Sequence, residues 1–269
     1  MRTNVVDGNF TADHIKQKHP DDDIWLTDGE GMMAAREPYY SHIKAAKDIK
    51  EVCSSISVIT LFLTLYDIQK HPCEPLESTF RAVMDANVGS SIKDVNGVVA
   101  HACAWHGCYC PGSIVNLPKG EKQSSVDFST SETAKTTHME NIKLFLQIYD
   151  LACIYHVKLP QRFRDAARYL TMPDMILDRA IGMFHVHGHQ DSCFFRYATS
   201  FIKGAAMVDG EILETLWAVL NLISQSVRTA SLAHRAEIID DHTNDSNWKK
   251  LVSIRMSTCL VRRPTDLPV

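Results

Sequence analysis

The 269-residue chain has 12 glycines but no glycine-rich run of the kind that cradles a nucleotide phosphate, which removes a phosphate-binding loop from consideration. It has no internal repeat and no low-complexity tract, so neither a solenoid nor a disordered linker describes it. No apolar run reaches the roughly 20 residues that cross a bilayer. The nearest, residues 54–66, is rich in Ser and Thr and reads as a buried strand or helix. No secretory signal opens the sequence, and its eight cysteines are irregularly spaced. That usage points to a reducing compartment, where clustered Cys and His more often bind metal than pair with each other. Basic charge is not in excess: 28 Lys and Arg stand against 32 Asp and Glu, a net charge of −4. A wholly basic nucleic-acid module is thereby excluded, though a local basic groove is not.

What is present is a globular composition, 45% hydrophobic and 22% charged. Its length suits one large domain, or one domain carrying an insertion. The stretch that organises the rest is Val208 to Asn221. Asp209, Glu211 and Glu214 open a helix expected over 209–226, and Ile212, Leu213, Leu216, Trp217, Val219, Leu220 and Ile223 make its apolar stripe. Acids at a helix start serve as caps or offset the dipole. Two further acids, Asp7 and Asp150, each end a short apolar run that reads as a strand, and three acids brought together could hold metal.

Strands are expected near 3–10, 97–106, 113–117, 143–150 and 180–186, the first three antiparallel, with 11–96 inserted between the first two. Helices are expected near 37–51, 151–159, 161–172, 194–202 and 231–241. Residues 119–141 are polar. Cys103, His106, Cys108 and Cys110 crowd a turn after the second strand, while His187, His189 and Cys193 follow the fifth. Thiolate and imidazole suit tetrahedral zinc, and both groups also read as buried thiols and hydrogen-bonded histidines. A four-ligand site needs donors from both, so Cys103, His106 and Cys108 are expected near His187, His189 or Cys193.

An Asp-bearing strand, two more strands, a helix, a second Asp-bearing strand, another strand and then a Glu-bearing helix form the order of an RNase H-like α/β fold, a mixed sheet with an insertion after its first strand and a helical C-terminal region. The expected domain is 1–250, with 251–269 a frayed tail. Carboxylates converging in such a fold suit Mg²⁺ or Mn²⁺, and paired divalent cations can cleave a phosphodiester.

The segments Val6-Asp-Gly-Asn-Phe10, Ala102-Cys-Ala-Trp-His-Gly-Cys108, Ser113 to Glu121, Ile148-Tyr-Asp-Leu-Ala-Cys153, Phe184-His-Val-His-Gly-His189 and Val208 to Trp217 resemble successive blocks of the KDZ (Kyakuja-Dileera-Zisupton) transposases of fungal genomes. His234 to His242 and Asp245 to Lys250 do so as well. The resemblance implies cut-and-paste transposition by a DDE core in the nucleus, with transposon ends and target DNA as partners; it leaves homo-oligomerisation open. It assigns Asp7, Asp150 and Glu211 to the acidic triad, with Glu214 competing for the third place; Asp209, at the helix start, is expected to cap it by accepting N–H bonds from the first turn. Glu211 ranks first because it lies nearer the positive end of the helix dipole. Two departures accompany the resemblance. Family members are usually longer, so the chain reads as a fragment of the catalytic region. Residues 52–76 replace a Cys-containing block, and the apolar run 54–66 reads as a mispredicted exon or retained intron. Other readings of the same residues are a nuclease of that fold, an inactive zinc-stabilised binding remnant and a pseudogene product.

Overall fold

A computed structural model describes residues 1–20, 23–46, 92–208 and 210–261, and the side chains of all of these up to residue 254. The expected apolar run 54–66 lies outside them, as does Asp209. Five strands form the main sheet: β1 (Arg2–Asn9), β4 (Gly97–Cys103), β5 (Val115–Leu117), β6 (Leu144–Ile148) and β7 (Ile176–Ala180), in the order β5-β4-β1-β6-β7. β4 is antiparallel to both β1 and β5, while β1, β6 and β7 run parallel. The insertion leaves and re-enters through a two-stranded ladder of β2 (His14–Ile15) and β3 (Lys93–Val95). Within it, α1 (Arg36–Ala45) lays the Tyr39 ring 5.3 Å from Phe128.

The sheet is covered on both faces, and its alternation says why. In β1, Val5 faces one apolar layer and Val6 the other; in β4, Val98, Ala100 and Ala102 face the first and Val99 the second. Strands buried on both sides carry apolar residues at adjacent positions, as Val5-Val6 and Val98-Val99 do here, with buried polar residues such as Asn4, His101 and Gln147 between them. The first layer is closed by α6 (Ile212–Leu220) through Leu213, Leu216, Trp217 and Leu220, and by Ala236 and Ile239 of the long α8 (Leu232–Val261). Between them run a short 3-10 turn and α7 (Ser224–Thr229). The second layer is closed by α2 (Gln123–Thr136), α3 (Ala152–Tyr155), α4 (Leu159–Asp165) and α5 (Asp191–Tyr197).

Helix α2 occupies the stretch that looked merely polar. Its buried Ser and Thr hydroxyls bond backbone carbonyls: Ser131 to Thr171 at 3.0 Å, Thr130 to Val126 at 2.8 Å, and Ser129 to Ser113. A hydroxyl satisfied in this way is small enough to let helix and sheet approach closely. Asp127, on the same helix, is buried against Arg162 of α4 in a two-pronged ion pair, Nε to Oδ2 at 2.6 Å and Nη2 to Oδ1 at 2.9 Å.

Several boundaries differ from expectation: the second strand ends at Cys103, and the helices expected at 151–159, 161–172 and 194–202 span Ala152–Tyr155, Leu159–Asp165 and Asp191–Tyr197. The fifth strand is Ile176–Ala180, not 180–186. At the sheet edge a strand needs only one apolar face, so the mixed run Ile-Leu-Asp-Arg-Ala qualifies, whereas the apolar run beyond Gly182 turns into a 3-10 helix at His185–Gly188. Helix α6 starts at Ile212, because Gly210 is left-handed (φ 85°) and a Cβ there would lie 2.8 Å from the Gly182 backbone. Helix α8 continues past residue 250 to Val261. Its anchors are polar side chains on backbone: Arg235 Nη2 donates to Ala12 O at 2.7 Å, Asp240 Oδ1 accepts from Met33 N at 2.7 Å, and Asn247 makes two bonds to the Tyr109 backbone, at 2.8 and 3.0 Å.

Candidate functional site

Because β1 and β6 are parallel neighbours, the residues at and beyond their carboxyl ends meet at one edge of the sheet. Asp7 lies near the end of β1, and Asp150 follows β6 by two residues. The turn after β7 brings His185 to the same edge, and α6 brings Glu211, at its N-cap, and Glu214, in its first turn. One cleft is lined by Asp7, Asp150, Gly182, His185, Glu211 and Glu214 together with apolar residues of β1, β6 and α6.

Each acid in the cleft is held differently. Trp217 Nε1 donates to Asp7 Oδ2 at 2.8 Å, tying β1 to α6. Glu211 accepts from the Phe184 backbone N–H at 3.1 Å and from His185 Nε2 at 3.1 Å; His185 also lies 3.9 Å from Glu214. The Glu211 carboxylate packs so closely on Gly182 that a side chain there would occupy its place. Asp150 keeps one buried oxygen, Oδ1, without a hydrogen-bond partner.

Burial and mutual repulsion set the charges. Asp7 is pushed up to about 7, first by burial and then by Asp150, against the Trp217 bond. Asp150 is raised mainly by burial, with His185 opposing. His185 is pushed up to about 9, first by its bond to Glu211. The cleft is thus a cluster of acids, Asp7 and Asp150 among them disfavoured in their charged forms, with one imidazolium as internal counter-ion.

These shifts have one sign. A group whose folded pKa is raised contributes stability below its ordinary pKa and loses that contribution as pH climbs through the folded value. For Asp7 the window runs from 3.8 to about 7, and for His185 from 6.5 to about 9. The urea midpoint measured in chelator is expected to fall between about pH 4 and pH 9, with the lower part shallower in Asp7→Asn and the upper part shallower in His185→Gln. A midpoint that is constant or rises over that range would contradict the arrangement.

The sulfur and imidazole groups separate. Since β4 is antiparallel to β1 and Asn4 pairs with Cys103, the Cys103 turn sits at the opposite end of the sheet from residues 181–193. Cys103, His106 and Cys108 therefore do not approach His187, His189 or Cys193; the expectation treated two ends of one sheet as one place. Cys103 Sγ lies 3.3 Å from His106 Nδ1, and Cys108 is beside them. His187 is exposed, its ring against Phe194 at 5.3 Å. Among the described residues, the one group of three metal-binding side chains with ligand atoms within 4.8 Å of one another is Cys153, His189 and Cys193. Cys153, three residues after Asp150, was missed as a ligand; the signal was its place one turn beyond the strand acid. Burial lowers His189 into its neutral form, which is the form that ligates metal. Cys193 is disulfide-bonded, so ligation by it requires the reduced thiol.

A family model described as Kyakuja-Dileera-Zisupton transposase matches residues 2–247. No curated protein and no solved structure matches the chain.

Proposed function

Since the chain belongs to the Kyakuja-Dileera-Zisupton transposase family, and therefore to proteins that act on DNA, we propose that its acidic cleft is an RNase H-like DDE site that cleaves and joins DNA at transposon ends. The observation that carries this reading is the meeting of Asp7, Asp150 and Glu211 in one cleft, from chain positions far apart, with Asp150 Oδ1 left unpartnered among them. The strand order and directions agree with it.

The donor set fits a hard divalent cation: carboxylate oxygens, one of them buried without a partner, in a cleft where negative charge is unfavourable. Asp7, Asp150 and Glu211 would hold Mg²⁺ or Mn²⁺, with Glu214 within reach of the same edge. When bound, such a cation neutralises these carboxylates and activates a water or a 3′-hydroxyl toward a phosphodiester. The chain itself supplies placement. Trp217 fixes the Asp7 carboxylate, the Phe184 N–H fixes Glu211, and His185 holds a proton on its Nε2 toward Glu211 and Glu214, so the acids keep their positions despite mutual repulsion. Glu211 is preferred to Glu214 as third acid on this packing, since Glu214 is the more exposed of the two. DNA is the proposed partner and the nucleus the proposed site of action. Among the described residues, no helix is long and apolar enough to cross a membrane.

A Mg²⁺- or Mn²⁺-dependent cleavage assay tests this on a supercoiled plasmid carrying the element's terminal sequences. Nicking that stops with chelator supports the proposal. DNA binding without any metal-dependent cut supports the second reading, a zinc-stabilised binding module without catalysis, which the Cys153–His189–Cys193 cluster favours.

Zinc at that cluster would also serve the leading reading. Cys153 and His189 follow Asp150 and His185 closely in sequence, so one ion would fasten together the two turns that carry the cleft. Protein purified under reducing conditions is expected to hold about one zinc per chain and to lose several degrees of melting temperature in chelator or as Cys153→Ser. Zinc-free protein with an unchanged melting temperature would refute this. Cys103, His106 and Cys108 form a separate candidate ligand set, to be counted in the same metal analysis.

A further inference from the structure

We propose that Phe184, Phe195 and Phe201 form a platform on which unpaired bases of a DNA strand stack beside the acidic cleft. The proposal rests on the DNA-cleaving reading above and adds the form of DNA that is bound. The three side chains are 80%, 67% and 56% exposed, and none belongs to the hydrophobic clusters of the described core. Phe195 lies in α5 and Phe201 in the 3-10 turn after it, Thr199–Phe201. Each sets its ring edge-to-face on Phe194 at 5.5 Å, and the two lie 5.9 Å from each other. Phe194 in turn packs on the second apolar layer, with its ring 5.3 Å from His187. The outer rings are therefore held from below while their outward sides meet solvent.

This surface is continuous with the cleft. Ile181 N donates to Tyr197 O at 2.8 Å and Ser200 Oγ to Met183 Sδ at 3.1 Å, so the turn that carries Phe184 and His185 runs alongside the segment that carries Phe195 and Phe201. The Phe184 N–H is the donor to Glu211, which places its exposed side chain next to the acids. Charge points to the occupant. Residues 194–208 include Arg196 and Lys203 and no acid, in a chain whose net charge is −4, and Lys203 is exposed. Aromatic faces and cations together suit a polyanion that carries flat apolar rings. In a duplex those rings stack on one another and offer only their edges, so the platform takes an unpaired strand. A protein seated over Phe184 would also cover Glu211, whereas a DNA strand has to reach it.

Fluorescence anisotropy of a labelled oligothymidylate of about 12 nucleotides, titrated with reduced protein without added divalent cation, tests this. Wild type is expected to bind it about ten-fold or more tightly than a duplex of the same length. Phe195→Ala/Phe201→Ala and, separately, Phe184→Ala should each weaken that binding by about ten-fold or more at an unchanged melting temperature, because the rings are exposed. Phe195→Trp, which keeps a stacking face, should bind as wild type does, and Lys203→Gln should lower the salt dependence by about one released counter-ion. Should the double variant misfold, Phe201→Leu, which keeps an apolar contact for Phe194 but no aromatic face, is expected to lose about five-fold. Folded alanine variants with wild-type affinity for the single strand, or a wild type that prefers duplex, overturn the platform; persistence of metal-dependent cleavage then leaves the acidic-site reading standing. An altered oligomeric state with DNA affinity unmoved assigns the rings to contact between copies and overturns it too. Single-strand binding that depends on these rings, in a protein that makes no metal-dependent cut, supports the platform and overturns the acidic-site reading.

Discussion

Asp150→Asn is expected to abolish metal-dependent DNA cleavage, by about a thousand-fold or more, without lowering the melting temperature. The two halves of that result have one cause. Asp150 Oδ1 is buried without a partner, and burial, with Glu211 and Glu214, raises the carboxyl against the opposing pull of His185 and the Leu151 N–H, so without a cation the ionised form is a net cost to the native state. Asparagine preserves the shape and removes the charge. A thousand-fold corresponds to about 4 kcal/mol of lost transition-state stabilisation, the scale expected when a cation ligand is removed. Glu211→Gln should behave alike, although it also frees His185 from its hydrogen bond. If Asp150→Asn cleaves normally while retaining its fold, the cleft is not the catalytic centre. If Glu211→Gln cuts normally and Glu214→Gln does not, the third acid lies one helical turn further on.

The largest stability effect belongs to Arg162. Replacing it with alanine strands the Asp127 carboxylate, which is 2% exposed, and deprives the Tyr155 carbonyl of a 3.0 Å bond. Removing one partner of a buried pair typically costs about 3–5 kcal/mol, against about 1 for an ordinary substitution. In a chain of this size that is a fall of roughly 10 °C in melting temperature. The double variant Asp127→Leu/Arg162→Met, which leaves no charge behind, is expected to recover most of the loss. A single-variant cost below about 1 kcal/mol, measured by urea unfolding, would show that water reaches the pair.

The contrast between these two substitutions shows what the sequence made legible. β1, β4, β5 and β6 are buried on both faces, and the apolar residues at their centres, Val5-Val6, Val98-Val99-Ala100 and Leu144-Phe145-Leu146 among them, made these strands and their directions readable although buried polar residues interrupt them. The acids that end β1 and β6 were visible for the same reason: a charge that closes an apolar run stands out. Helix α2 did not stand out, because Ser, Thr and Asp127 bury by bonding to carbonyls and to Arg162, a pairing that periodicity does not display. β7 was displaced by the better-looking run after it, since an edge strand carries half the apolar signal. The separation of the two Cys/His groups needed strand direction applied to their positions, not composition.

The central strand β1 precedes both of its neighbours in the chain: Asn4 pairs with Cys103 on one side and Gln147 on the other. A ribosome delivering this chain therefore exposes two unpaired strand edges on β1 for as long as it takes to synthesise the strands that cover them. Folding through such distant pairings is slow, and bare edges invite pairing between chains. Assembly of the cleft comes later still, since Glu211 follows every strand of the sheet. A product terminated before residue 211 would carry Asp7 and Asp150 without Glu211, so incomplete copies would expose bare strand edges while lacking the proposed third acid.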